Sequence, residues 1–449
     1  MSIWLDSIYE IAGLVIFLAG FLWLAQKKFE NRIYLTVFLL PLYLFKIKIF
    51  FIPMNVLEIM IGLLFLLWLA NKRYRAVEFF EIRKFSLPAL LILNGAILST
   101  LLSQNLEVSA GILKSWFVVP LIFALMVVAE IKNEAQIKKI FCWLAISGGL
   151  IGVVGLIYFL SGEITFDRRL AAFFLSPNHL AMALAPGFFT ALAMIGLAEK
   201  KEKPLWLAAL AVDAAALFLT FSYAAWIALL AAIVFWLFGR AKNKKRMLAV
   251  CGLLFLLLVG ILFVSQSKSE KLDNFLHSPR SSWQSRLMIW RAAWAIGKDH
   301  FVFGIGPGMF QEYYLKYQSR FSVPYLEWSS PQPHNLFLAF WLQTGLIGLI
   351  GFLWLIIVFF IYITRAWTAF SCCGTRPALG EGLGSNSPRG ENAIHARGQL
   401  LLILAALMIY ILLHGLIDTT YFKNDLAVVF WLVLALAVSL GAVKKMQTG

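Results

Sequence analysis

Charge is scarce in this chain of 449 residues: Asp, Glu, Lys and Arg make up 14%, where soluble domains carry about 25%. With 61% hydrophobic residues and a mean hydropathy of +0.82, a soluble globular domain is excluded. Cysteine is scarce too, at four residues. Cys142 and Cys251 fall in apolar runs, and Cys372 and Cys373 fall in a basic loop. These four build no disulfide framework and no CxxC metal pattern. Strands of about 10 residues alternating polar and apolar are missing, which excludes an outer-membrane barrel. The first apolar run has no basic leader, since Asp6 and Glu10 are acidic, and no small-residue cleavage site. It reads as a retained helix rather than a signal peptide.

What the chain does have is a succession of apolar runs of about 20 residues, each able to cross a hydrocarbon core of roughly 30 Å. The expected fold is an all-α polytopic membrane protein. Spans are placed near 8–26, 33–50, 56–71, 86–102, 108–130, 139–160, 178–198, 205–220, 223–239, 247–265, 334–364, 399–417 and 426–443. The second span is interrupted by Lys46, Lys48 and Pro53. Read as re-entrant, it leaves about 12 helices rather than 13. The 205–239 run is too long for one helix and is expected to fold back around Thr220-Phe221-Ser222. The chain divides into helices over 1–265, a polar loop over 266–333, and helices over 334–449.

One set of alternate short loops carries most of the 39 Lys and Arg, which places those loops in the cytoplasm. The long 266–333 loop and the shorter 161–177 and 418–425 loops then share the periplasmic face. The net charge of +16 is read as this topology signal. Basic residues scattered over many short loops make no nucleic-acid surface. The Gly/Ser/Arg-rich stretch over 366–398 is expected to be disordered by composition.

Three polar segments meet the periplasmic face. The first runs from Thr165 through Arg168 and Arg169 to Asn178 and His179. The second holds Arg286, Trp290 and Arg291, followed by Gly304, Gly306 and Gly308. The third is His334-Asn335, which opens an apolar helix containing Gly345 and Gly348. Arginine suits a diphosphate, because its planar fork binds phosphate oxygens and stays charged. Arg286 and Trp290 stand four apart on one helical face, and Arg291 points elsewhere. Arg169 also reads as a residue anchoring a helix end. His334 is a candidate general base, since an imidazole can take a proton near neutral pH, or alternatively a helix cap. The glycine run lacks the strand before and the Lys-Ser/Thr after that a nucleotide loop needs, so a tight surface turn is expected. His414 and Asp418, four apart, read first as a structural pair. Within the spans the charges are few: Lys114, Asp213 and Glu58. For Asp213, helix packing with a polar partner is expected.

At these residues the chain resembles the O-antigen ligase and O-antigen polymerase family of bacterial envelope glycosyltransferases. The matching pieces are Arg169-x3-Phe173 through Pro177-Asn178, Arg286-x3-Trp290 running into Gly304-x-Gly306-x-Gly308-x-Phe310, and His334-Asn335 with Gly345 and Gly348 downstream. His414 to Asp418 fits the family's late helix. Where the family usually shows Ser-Arg, this chain has Ser222-Tyr223. The resemblance implies a GT-C-like fold with a large, partly helical periplasmic loop. It implies inverting, metal-independent and cofactor-free transfer of a glycan from undecaprenyl diphosphate to an acceptor hydroxyl such as that of lipid A–core. Arg169 and Arg286 match the diphosphate positions, and Arg168 and Arg291 are counted with them. His334 matches the catalytic position, supported by Asn178, Trp290 and Asn335. The implied location is the bacterial inner membrane. A repeat-unit polymerase or a protein O-oligosaccharyltransferase fits the same motifs. A lipid-linked oligosaccharide transporter is the reading from another class, and it needs charges lining a path through the bilayer.

Overall fold

The structure, a computed structural model, describes residues 3–5, 7–24, 28–49, 52–70, 79–241, 243–266, 282–321, 327–373 and 388–442. Apolar runs become helices because a helix satisfies every backbone polar group within its own segment. They are α1 (Ile8–Leu24), α2 (Phe29–Phe38), α3 (Val56–Ala70), α4 (Phe79–Leu101) and α5 (Leu106–Glu130). Then come α6 (Glu134–Leu160), α7 (Pro177–Leu197), α8 (Lys203–Leu219), α9 (Tyr223–Arg240) and α10 (Lys244–Gln266). The polar loop contributes α11 (Ser282–Asp299) and α12 (Phe310–Tyr317), so it is partly helical as expected. Last are α13 (Leu336–Cys373), α14 (Pro388–His414) and α15 (Asn424–Ala442). Among the described residues, eight helices are long and apolar enough to cross a membrane: α4 (from Arg83), α5, α6, α7, α9, α13 (to Thr368), α14 (from Ala396) and α15 (to Gly441). The apolar α1 and α3 are shorter. The protein is an all-α polytopic membrane protein. Of the expected disorder over 366–398, both edges are helical and 374–387 lies outside the described residues.

The second expected span is not one helix. α2 ends at Phe38, a tight turn follows over Leu40–Leu44, and the chain enters a hairpin of β2 (Phe45–Ile49) and β3 (Ile52–Asn55). The run Phe45-Lys46-Ile47-Lys48-Ile49 alternates with period two, a strand pattern. Pro41 helps to end the helix before it. β2 also pairs in parallel with β1 (Ile3–Trp4), giving the order β1-β2-β3. The fold-back at 220–222 is present, with Phe221 at φ +44° between α8 and α9.

The helix ends fall into two polar layers. In one, Gln136 donates to Glu30 at 3.3 Å, Trp68 to Glu130 at 3.1 Å and Arg397 to Glu134 at 3.4 Å. These ends adjoin the basic loops, and α6 starts there in a capping box of Asn133 and Gln136. The other layer holds the three polar segments. Between the layers α7, α14 and α15 are the most enclosed helices. α13 packs on α4, α6 on α7 and α8, α9 on α14, and α15 on α5. Small residues allow the close crossings: a Cβ on Gly148 of α6 would lie 2.6 Å from the Gly187 Cα of α7.

α13 breaks at Gly345, where φ is +67°. The break frees the Leu342 carbonyl and the Leu346 N–H, and the glycine-rich loop takes both. Ile305 N donates to Leu342 O at 2.7 Å, and Leu346 N donates to Val302 O at 2.9 Å. This loop is not the surface turn expected of it. Ile305, Gly306, Pro307 and Met309 are buried, Gly306 N donates to Ser99 Oγ, and Ser109 Oγ donates to Pro307 O. Its glycines are needed because the loop lies against α4, α5 and the α13 break with no room for side chains.

Of the intramembrane charges, Lys114 and Glu58 pair at 2.8 Å. Asp213 lacks the expected polar partner: neither carboxylate oxygen has a hydrogen-bond partner among the described residues.

Candidate active site

Local structure positions each side chain before any long-range contact is made. Ser176 caps α7 by accepting from His179 N, with Pro177 at the first helical position, so Asn178 sits in the first turn. Asn335 caps α13: its Oδ1 accepts from Phe337 N and Leu338 N, and its Nδ2 donates to Leu416 O. His334 is therefore not the cap. It precedes the cap at φ +47°, a conformation rare for non-glycine residues. The 165–176 segment is pinned to the α8–α9 turn, where Leu170 N donates to Leu219 O at 2.9 Å.

The three segments converge on Asp418, in the turn after α14. Arg169 donates from Nε to Thr220 O and from Nη2 to Asn178 Oδ1, both at 2.8 Å. Asn178 Nδ2 donates to Asp418 Oδ2 at 2.9 Å. His334 Nδ1 lies 3.1 Å from Asp418 Oδ1, which also accepts from Thr419 N at 2.8 Å. Arg286 Nε donates to the carbonyl of Ile417, the residue before Asp418, at 3.0 Å. Trp290, on the same face of α11 as Arg286, donates to the His334 carbonyl at 3.2 Å. Trp290 thus braces the His334 backbone.

Asp418 is the hub of this cluster. Burial opposes its ionisation, yet the charges of His334, Arg286 and His414 outweigh that and hold its carboxyl well below the usual carboxylate range. An ionised carboxylate only accepts, so His334 donates from Nδ1, and in the neutral imidazole Nε2 is then the acceptor. A third of the His334 side chain is exposed against 8% for Asp418, so the imidazole is the reachable member of the pair. Burial lowers the Arg169 pKa, Asp167 at 3.6 Å opposes that, and the nearby Arg286 charge adds to it. The two guanidinium groups therefore stand within electrostatic reach of each other, each with N–H groups not engaged by the described residues.

His414 and Asp418 do not form the expected side-chain pair. α14 ends at His414, whose Nδ1 faces Tyr410 at 3.0 Å, while Asp418 turns to His334 and Asn178. Arg168 and Arg291 are not gathered into the cluster. Both are exposed, and neither side chain forms a hydrogen bond or ion pair among the described residues. Tyr223, at the family's Ser-Arg position, stands close enough to Arg169 to act on its charge.

Fold and site together define a polytopic membrane protein with a cationic, histidine-bearing cluster at one membrane face. Residues 207–353, about a third of the chain, match the model of the O-antigen ligase family, so over that stretch the chain is similar to that family. The match bears out the resemblance read from the sequence. It takes in Arg286, Trp290, the glycine-rich loop, His334, Asn335 and Gly345, and leaves Arg169, Asn178 and Asp418 outside. The chain matches no curated protein.

Proposed function

We propose that the chain transfers a glycan from undecaprenyl diphosphate to a hydroxyl of lipid A–core at the periplasmic face of the inner membrane. The observation that carries this reading is the hydrogen-bonded chain Arg169–Asn178–Asp418–His334, with Arg286 on the adjoining carbonyl. It supports a division of labour between cations for a leaving group and a base for an acceptor.

Asp418 holds His334 with Nε2 open to the acceptor hydroxyl. Nε2 takes the hydroxyl proton as the oxygen attacks the anomeric carbon, and the carbon–oxygen bond to the diphosphate breaks on the opposite face. The configuration inverts, and the electron pair leaves on the diphosphate. Arg169 and Arg286 stabilise that growing charge without rearranging. His334 then releases its proton to solvent. A diphosphate is already a good leaving group, so this scheme uses no metal. The prenyl diphosphate donor and the lipid A–core acceptor come from the family; the roles of the residues come from their geometry.

The purified chain, given lipid-linked oligosaccharide with and without lipid A–core, tests the reading. Product is expected only with the acceptor; chain growth without it points to a polymerase. Arg286→Ala and His334→Ala, at normal membrane abundance, should each lower transfer at least about 10²-fold. Full transfer by both variants overturns the roles assigned.

A further inference from the structure

A second group of cations borders this site on the side of the hairpin. Glu58 ties it together. Asn55 Nδ2 at 2.7 Å and Asn424 Nδ2 at 2.8 Å both donate to Glu58 Oε1. Lys114 Nζ lies 2.8 Å from Glu58 Oε2 and donates to Pro53 O at 2.8 Å, so Lys114 and Glu58 neutralise each other. In the hairpin register Lys46 stands opposite Asn55 and Lys48 opposite Pro53, which puts both lysines on the Asn55 face of the ribbon. Lys423 directly precedes Asn424. One glutamate thus gathers Lys46 and Lys423 from opposite ends of the chain onto one rim.

Lys423 lies five positions after Asp418, and its ammonium makes no hydrogen bond or ion pair among the described residues. The carboxylate nearest in function does not need it: His334, Thr419 N and Asn178 already occupy both oxygens of Asp418. Asp425 turns one oxygen to His179 at 3.6 Å. Lys46 Nζ rests 5.8 Å above the Trp4 ring, a weak contact, and makes no hydrogen bond or ion pair among the described residues. Burial lowers the Lys423 pKa, Asp425 and Asp418 oppose that, and Lys46 adds to it, which places the two ammonium groups within reach of one another. A half-buried cation with three idle donors beside a reactive centre is poised for an anion.

We propose that Lys423 and Lys46 form a second anion subsite, across Asp418 from the arginines, that holds a phosphate or carboxylate of the acceptor glycolipid. This rests on the transferase reading above, in which the acceptor hydroxyl lies at His334. The two arginines take the leaving diphosphate, and the two lysines take an anionic substituent of the attacking molecule. The subsite selects an anionic acceptor over a neutral one of the same size.

The test uses the full chain in lipid nanodiscs, with lipid A–core as isolated and after phosphatase treatment. Lys423→Ala should raise the acceptor KM about tenfold, the size of one lost charge-assisted hydrogen bond, while the donor KM keeps its wild-type value. Lys46→Ala should act in the same direction, and Lys423→Arg should restore the wild-type KM. With the phosphatase-treated acceptor, wild type and Lys423→Ala should become equal. A change in donor KM alone overturns the proposal, because it assigns the lysines to the diphosphate. An equal loss with both acceptors overturns it as well. Direct binding of fluorescent lipid A–core to the His334→Ala chain separates the two readings. Binding that weakens with Lys423→Ala upholds the subsite even if no transfer is seen, and binding indifferent to Lys423→Ala and Lys46→Ala overturns it even if transfer is robust.

Discussion

Asp418 and Asp213 are both buried aspartates, and they live in opposite circumstances. Asp418 sits in a turn at the membrane face, with three donors on its two oxygens and arginine and histidine charge around it. Asp213 sits within α8, where its oxygens lie against the glycine crossing of α6 and α7: a Cβ on Gly187 would come 2.9 Å from its Oδ2. The glycines make room for a carboxyl and give it no donor. Burial by itself therefore says little about function. What distinguishes Asp418 is that side chains from two distant stretches, Asn178 and His334, are oriented through it.

The largest effect that can break this contrast is on transfer. Asp418→Asn places an amide N–H against the Asn178 amide and removes the charge that faces the His334 Nδ1–H. Transfer should fall about 10³-fold or more, as expected when a base loses the partner fixing its tautomer. A loss smaller than tenfold ends the hub role. Next is Gly345→Ala. It forces an alanine to a positive φ and drives its Cβ into the Val302 carbonyl, so the chain should lose about 3 kcal/mol of stability. An unchanged melting temperature in detergent shows that the loop does not seal the break. Acid should act selectively. Asp418 has a folded pKa below its unfolded one, so its stabilisation is full above about pH 4 and drains away as the pH falls further. Wild type should lose stability on that limb, and Asp418→Asn should show less of the loss. Smallest is Asp213→Asn, which keeps the shape and changes a group without hydrogen-bond partners among the described residues. Its melting and transfer should stay near wild type, within about 1 kcal/mol. A large transfer loss there would erase the contrast between the two acids.

Most helices were legible because about 20 apolar residues admit few other structures in a membrane. The fold-back at Thr220-Phe221-Ser222 was legible from length alone. The 33–50 span was misjudged because its apolar content hid a period-two run, Phe45-Lys46-Ile47-Lys48-Ile49, which belongs to a strand. The break in α13 was hidden for another reason. Gly345 sits among apolar residues, and its φ depends on a loop some 40 residues upstream supplying hydrogen bonds. In the site, Arg169, Arg286 and His334 stood out by residue type near an apolar boundary. Asp418 was read as His414's partner because spacing of four suggests one helical face, but α14 ends at His414. Its true partner is 84 residues away, and no local pattern carries that contact. Arg168 and Arg291 show the reverse: they neighbour Arg169 and Arg286 in sequence, yet both are exposed and make no side-chain bond to the cluster among the described residues.

The central claim, that Arg169 and Arg286 grip a prenyl-linked diphosphate beside His334, is tested most directly by determining the structure of the chain with undecaprenyl diphosphate bound. The account predicts both phosphates between the two guanidinium groups, with His334 Nε2 facing the sugar-bearing end. Phosphate density elsewhere on the protein, with neither arginine in contact, would contradict it.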